Sequence, residues 1–463
     1  MRYVSTRGGA PEADFGQVLL NGLAPDGGLY VPAEWPRLGD VWLQPDASYV
    51  DIAVDVMAPF VEPTIGRDEL RAMCVEAYST FAAPEVTPLV DIGDGVHLLE
   101  LFHGPTLAFK DVALQLVGHL FEDQLSRQGR TATIVCATSG DTGSAAIQAC
   151  MGRSALEIFV LHPSGRTSAV QRRQMTTVDA PNVHNLAIDG TFDDCQDLVK
   201  ALFADDEFRT RTHMSAMNSI NWARVMAQIV YYVVAARSVG ATPDRPVEFS
   251  VPTGNFGNIL AGYVARQMGL PISGLIVASN SNDILTRFLE TGSMTSEAVA
   301  PTLSPSMDIQ ISSNFERLLF ELLDRDGVAV ADMLTRFRSE GSYSVTPEQL
   351  ESLSAVFSGA RFDDDATLSA IQLTRARTGH LVDPHTAVGL AAAATCRRNP
   401  EHPLVVLATA HAAKFPDAVE QAVGERPELP AHLSDLFARD ERFTLVPNDL
   451  DLIRGLIGAA LAD

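Results

Sequence analysis

The chain has 463 residues, 46% of them hydrophobic and 20% charged, with a formal net charge of −24. Length and composition describe a globular protein of two or three domains with ample chain for a large core. The acidity excludes nucleic acid as a partner, because a phosphate backbone needs a basic footprint; it leaves room for a small phosphorylated ligand held by one local cluster of N–H groups and cations.

Residues 1–95 are rich in Pro, Asp and Gly, carry helical pieces at Ser48–Val61 and Arg67–Phe81, and read as an N-terminal domain or arm. From there a pattern recurs: a short β-branched run, a turn of small residues, then a helix. Thr131–Ala137 leads through Thr138–Gly143 into Ser144–Met151, Leu156–Leu161 is closed by His162–Gly165, and Val183–Ile188 precedes a helix at Phe192–Phe203. Val247–Val251 runs through Pro252–Asn258 into Ile259–Met268, Gly274–Ala278 follows, and Leu404–Leu407 runs into Ala408–His411. Near-continuous apolar strands, each followed by a helix, indicate an α/β fold of parallel sheets covered by helices on both faces. Ligands in such sheets sit in the loops at the carboxyl ends of strands. The expected division is an N-terminal part (1–95), a smaller α/β domain (96–205) and a larger one (206–463).

Five cysteines, Cys74, Cys136, Cys150, Cys195 and Cys396, are odd in number and scattered, so neither a disulfide framework nor a zinc site is expected and no metal is assigned. The N-terminus has no apolar signal core, and the longest apolar run, Ile229–Ala236, is too short to span a bilayer. A cytoplasmic protein with no membrane partner is the expectation; oligomeric state is not legible.

Three lysines stand among 34 basic residues: Lys110, Lys200 and Lys414. Arginine can replace lysine as a surface charge but cannot form an imine. Lys200 falls with Asp193 and Asp197 on the polar side of its helix and reads as a solvated charge. Lys414 follows the turn Thr409-Ala410-His411 and reads either as a loop charge or as an anion contact at a site rim. Lys110 closes the polar-poor run Leu101–Phe109. It reads either as a desolvated amine, with the lowered pKa that makes a nucleophile, or as a lysine snorkelling out beside Asp111.

Gly254-Asn255-Phe256-Gly257-Asn258, between a strand and a helix, can converge N–H groups on an anion at a helix N-terminus. Its spacing is neither a dinucleotide fingerprint nor a Walker loop, and a generic turn is the bland alternative. Ser139-Gly140-Asp141-Thr142-Gly143 is a second such nest with hydroxyls suited to a carboxylate, with the same alternative. Together the three features offer a phosphate anchor, a carboxylate anchor and an imine-forming amine.

His103-Gly104-Pro105-Thr106-Leu107-Ala108-Phe109-Lys110-Asp111 resembles the pyridoxal-phosphate lysine motif of the threonine synthases. Tyr3–Gly8, Ala137–Gly143, Asn218–Arg224, Val251–Asn258, Ile311–Arg317, Asp383–Gly389 and Thr409–Pro416 resemble that family in the same order, across essentially the whole chain, and point to its longer branch. The resemblance implies the tryptophan-synthase-β-like fold (fold type II) with pyridoxal 5′-phosphate between a large and a small domain. Lys110 would hold the cofactor as an internal aldimine, and Gly254, Asn255, Phe256, Gly257 and Asn258 would cradle its phosphate. Thr409 would offer its hydroxyl to the pyridine nitrogen. Thr138, Ser139, Gly140, Asp141 and Thr142 would receive the substrate carboxylate. Lys414, Arg166, Arg172 and Arg173 are the candidate cations for a substrate phosphate. Relatives acting on serine or threonine carry Asn where Asp141 stands; a carboxylate facing the cofactor's phenolic oxygen would be repelled unless protonated or turned away, so that oxygen has no assigned partner.

The implied reaction turns O-phospho-L-homoserine and water into L-threonine and phosphate, with Lys110 as covalent anchor and proton shuttle. Two rivals stand beside it. One is a related lyase or dehydratase giving a 2-oxoacid and ammonia; the other is a non-catalytic phosphate-binding or scaffold protein in which Lys110 is a buried ion-pair member.

Overall fold

A computed structural model describes residues 1–462. Two sheets organise the chain. In the larger, the strand order is Phe357–Arg361, Ile272–Ser279, Val247–Pro252, Leu404–Ala408, Val96–Glu100 and Leu89–Asp91. All neighbours are parallel except the last pair. Its central strands are buried along their whole length, which is why they read as apolar runs rather than alternating ones. The smaller sheet is parallel throughout, in the order Thr444–Pro447, Val183–Asp189, Leu156–Pro163, Ala132–Ala137 and Met214–Ser215.

Helix Pro384–Cys396 covers one face of the larger sheet, packing on Val247–Pro252, Ile272–Ser279 and Leu404–Ala408. Helix Trp222–Ser238 is buried on nearly every side, and helix Lys110–Arg127 packs against it, against Asp141–Cys150 and against Arg67–Tyr78. The N-terminal segment is tied to the body by specific bonds: Tyr3 donates to the Phe60 carbonyl at 2.7 Å, Thr6 donates to Glu316 at 2.6 Å, and Arg7 pairs with Glu316 at 2.9 Å.

Sheet membership does not follow a contiguous division at residues 95 and 205. Val96–Glu100 belongs to the larger sheet, while Met214–Ser215 and the distant Thr444–Pro447 complete the smaller one. The physical reason is pairing: Val96–Glu100 lies in register with Leu404–Ala408, so the turn that follows it opens at the carboxyl end of the larger sheet. Among the described residues no helix is long and apolar enough to cross a membrane.

Candidate active site

Residues 101–110 leave the strand Val96–Glu100 and are laced to the segment leaving Leu404–Ala408. The Leu101, Phe109 and His411 N–H groups donate to the Ala408, Thr409 and Leu107 carbonyls at 3.0, 2.8 and 3.0 Å. Lys110 is the first residue of its helix, and its side chain is 11% exposed. The amine lies 3.6 Å from Asp141 Oδ2 and 3.5 Å from Ser306 Oγ. Burial pulls its pKa down to about 8; Asp141 opposes that, while Lys414 and Arg224 add to it. Asp111 is not its partner. The Asp111 carboxylate accepts the N–H and hydroxyl of Thr106, and burial pushes its pKa up to about 6. The snorkelling alternative therefore does not describe Lys110.

The turn at 138–143 joins strand Ala132–Ala137 to helix Asp141–Cys150. Thr138 Oγ1 accepts the N–H groups of Gly140 and Gly143, both at 2.9 Å, and so braces the turn rather than facing a ligand. Asp141 is buried, and its carboxylate is encircled: Lys414 Nζ at 2.8 Å, Gln171 Nε2 at 2.9 Å, Ser306 Oγ at 3.1 Å and Lys110 Nζ at 3.6 Å. Burial raises its pKa, but the two lysines outweigh that and hold it well below the usual carboxylate range. The carboxylate is thus turned onto lysines, and an anion so placed cannot receive a substrate carboxylate. What the turn still offers a carboxylate is the N–H groups of Ser139, Asp141 and Thr142 at a helix N-terminus, together with the Ser139 and Thr142 hydroxyls, none of which bonds elsewhere among the described residues.

The Gly254–Asn258 turn opens helix Gly257–Gln267 with Phe256 left-handed at φ 62°, its ring packed on Phe315 and Phe357. The N–H groups of residues 254–258 have no acceptor among the described residues. Asn258 is buried; its Oδ1 accepts from Tyr231 at 2.6 Å and Tyr232 at 3.0 Å, while its Nδ2 has no partner among the described residues. Successive free amides around a left-handed residue, with an unpaired buried amide, form a cradle for a multiply charged anion. A Cβ on Gly254 would stand 2.7 Å from the Ser306 carbonyl oxygen. Ser306 thus links all three features, its carbonyl at the 254 turn and its hydroxyl between Lys110 and Asp141.

Thr409 follows strand Leu404–Ala408, is buried, and its hydroxyl makes no bond among the described residues. Lys414 is no rim residue: it is fully buried and donates to the Thr106 carbonyl at 2.6 Å as well as to Asp141. The other expected phosphate cations are engaged or distant from such a role. Arg172 pairs with Glu441 at 2.8 Å, Arg173 donates to the Arg439 carbonyl at 3.0 Å, and Arg166 is exposed. Lys200 is exposed and pairs with Asp197 at 2.9 Å.

Sequence reasoning assigned no role to Arg224, Ser306 or His385. Arg224 is buried; among the described residues its guanidinium bonds only to the Met217 carbonyl at 3.2 Å and its Nε is unpaired, and its charge depresses the Lys110 pKa. Burial lowers its own pKa to about 10. His385 accepts the Ser306 N–H at Nε2 (3.1 Å) and therefore donates from Nδ1 to Asp383, at 2.6 Å. Only Arg224 carried a signal in sequence: an arginine inside an otherwise apolar helix.

Three family profiles cover the chain: "Threonine synthase N terminus" over residues 2–78, "Pyridoxal-phosphate dependent enzyme" over 82–336 and "Threonine synthase, C-terminal" over 386–457. A threonine synthase of Pseudomonas aeruginosa is 51% identical over 460 residues, covering 99% of this chain and 98% of that one. The crystal structure of PLP-bound threonine synthase from Brucella melitensis matches with a TM-score of 0.97 and 50% identity, covering 99% of both chains. Threonine synthase from yeast matches at 0.93 and 40%, over 100% and 99%. The residues fit pyridoxal phosphate: the orphaned Asn258 amide, the free amides at 254–258, the unpaired Thr409 hydroxyl and the depressed Lys110 amine are the groups it needs. With the larger and smaller sheets of fold type II meeting at these groups, the chain belongs to the threonine synthase family of pyridoxal-phosphate-dependent enzymes.

Proposed function

We propose that this chain converts O-phospho-L-homoserine and water to L-threonine and inorganic phosphate, with Lys110 as the cofactor lysine. The observation that carries the reading is a buried amine, with pKa lowered to about 8, set between two cradles of free amides. When bound, pyridoxal phosphate supplies an aldehyde for an amine and a ring that withdraws electrons from the substrate carbon attached to it.

Lys110 Nζ would be the amine that holds the cofactor, and as a free amine with a pKa lowered to about 8 it can take up and give back a proton near neutral pH. The amides of Gly254, Asn255, Phe256, Gly257 and Asn258 would hold the cofactor phosphate, and the Thr409 hydroxyl would serve the ring nitrogen. A hydroxyl partner does not enforce a protonated ring as a carboxylate does, so the electron sink it would leave is mild. The N–H groups of Ser139, Asp141 and Thr142 orient the substrate carboxylate. Arg224 is the cation assigned to the substrate phosphate, supported by its burial, its Nε without a partner among the described residues and its charge being felt at Lys110. A reducing, cytoplasmic setting is part of this reading, supported by five free and dispersed cysteines.

Product analysis tests it. Phosphohomoserine should give threonine and phosphate in equal amounts; a 2-oxoacid with ammonia would replace this reading with the lyase one. Lys110→Ala should lose both visible cofactor absorbance and turnover, and wild-type turnover in that variant would end the proposal.

A further inference from the structure

Two of the three lysines converge on one buried carboxylate, and the more deeply buried of them is not the reactive one. Lys414 has no solvent exposure, whereas the Lys110 side chain retains 11%. Lys414 bonds Asp141 Oδ1 at 2.8 Å and the Thr106 carbonyl at 2.6 Å, and its own carbonyl accepts from Ser168 at 3.2 Å. One side chain thereby joins the turn that presents Lys110, the 138–143 turn and the segment after Thr409. Burying an ammonium costs several kcal/mol unless it is closely paired, so a fully buried lysine on a shared carboxylate calls for a reason.

The reason lies in the unequal distances. A carboxylate in full contact with Lys110 would stabilise its ammonium form, and an ammonium is neither nucleophile nor base. We propose that Lys414 is a positioning residue for the reactive amine: by holding Asp141 at 2.8 Å it keeps the carboxylate from closing on Lys110, leaves Lys110 loosely held at 3.6 Å, and keeps Asp141 turned onto the lysines. Gln171 and Ser306 hold the same carboxylate from two further sides, at 2.9 and 3.1 Å. This deepens the reading of Lys110 as cofactor lysine and rests on it. The charged groups facing Lys110 are Asp141, Lys414 and Arg224; those facing Lys414 are Asp141, Lys110 and Asp111. Losing Lys414 removes a repelling cation and frees the carboxylate, so both effects favour the charged form of Lys110.

A chain with three lysines makes the test direct. Cofactor-free full-length protein carrying ε-¹³C-lysine gives three resonances, with surface Lys200 as internal reference. In Lys414→Met the Lys110 titration midpoint should rise by about one pH unit or more, the scale of an opposite charge brought into contact, with Lys200 unmoved. Lys414→Gln, which can keep the Thr106 contact, should raise it in the same direction and serves if Lys414→Met does not fold. In an Asp141→Asn background the same Lys414 change should raise the midpoint less, because no carboxylate remains to swing. A midpoint that stays put or falls on loss of Lys414, or an equal rise in both backgrounds, overturns the proposal. A chain that bound no pyridoxal phosphate would end the proposed function yet leave this titration readable, so the two failures are distinguishable.

Discussion

The Asp111 carboxylate accepts both the backbone N–H and the hydroxyl of Thr106, at 2.8 and 2.7 Å, closing a loop immediately beside the reactive lysine. Both residues are buried, and the Thr106 carbonyl on the other side of the same residue takes Lys414 and Gln174, the latter at 3.0 Å. Thr106→Val removes the hydroxyl donor while keeping the shape. It should cost about 1–3 kcal/mol in chemical denaturation, the range for a hydrogen bond to a buried charged acceptor. Because that loop places Lys110, cofactor affinity should fall as well, which titration of the cofactor-free protein with pyridoxal phosphate reads.

Lys110 makes the fold less stable where it makes the site reactive. Its folded pKa, about 8, is below the ordinary 10.5, so the unfolded chain keeps the proton over a window in which the native one has lost it. Stability from this group therefore rises with pH between about 8 and 10.5, and below 8 the full cost of the buried ammonium is present. That cost is on the order of 3 kcal/mol at neutral pH. Cofactor-free Lys110→Met should resist urea better than wild type at pH 7, with the advantage shrinking as pH approaches 10. An equal advantage at both pH values would show that burial of charge is not its source.

Gly140 sits at φ 143°, where a side chain is strained, and a Cβ there would come within 2.6 Å of Gln171 Cδ, on the side chain that steadies Asp141. Gly140→Ala should destabilise by about 2–4 kcal/mol, combining backbone strain with overpacking. Gly152, at φ 72° with no described residue beyond its chain neighbours within 4 Å of where a methyl would stand, supplies the control: Gly152→Ala should cost only about 1 kcal/mol. Thermal melts of the two variants separate the packing effect from the conformational one.

The central parallel strands were legible because burial on both faces makes them continuous apolar runs, as in Leu404–Ala408. Phe357–Arg361 and Thr444–Pro447 were not, since edge strands are short and partly exposed, and Thr444–Pro447 joins strands far earlier in the chain. The pattern of glycines and hydroxyls marked both turns, and the apolar surroundings marked Lys110. What each turn's side chains face was hidden, because it depends on long-range partners. Asp141 reads as a ligand-loop residue until Lys414 is placed on it, and Lys414 reads as a loop charge until its burial is seen. Arg172 and Arg173 resembled anion ligands but hold the C-terminal segment through Glu441 and the Arg439 carbonyl.

Arg224 carries the prediction most specific to the substrate. Among the described residues it is a buried guanidinium whose only bond is to a backbone carbonyl at 3.2 Å, and burial has lowered its pKa to about 10, so it is held there at a cost to stability. A cation left short of partners, whose charge is felt at Lys110, suits an incoming phosphate, which a planar fork of N–H donors matches bidentately. Arg224→Met should therefore raise KM for phosphohomoserine by roughly 10- to 100-fold, the loss expected for hydrogen bonds to a charged group. Stability should hold or improve, because a buried charge is replaced by an apolar chain of similar length. Arg224→Lys should fall between the two, keeping charge and losing the fork. Affinity for pyridoxal phosphate, held through the 254–258 amides, should change little across the series. A KM unchanged in Arg224→Met, with the fold intact, would move the substrate phosphate to another part of the site.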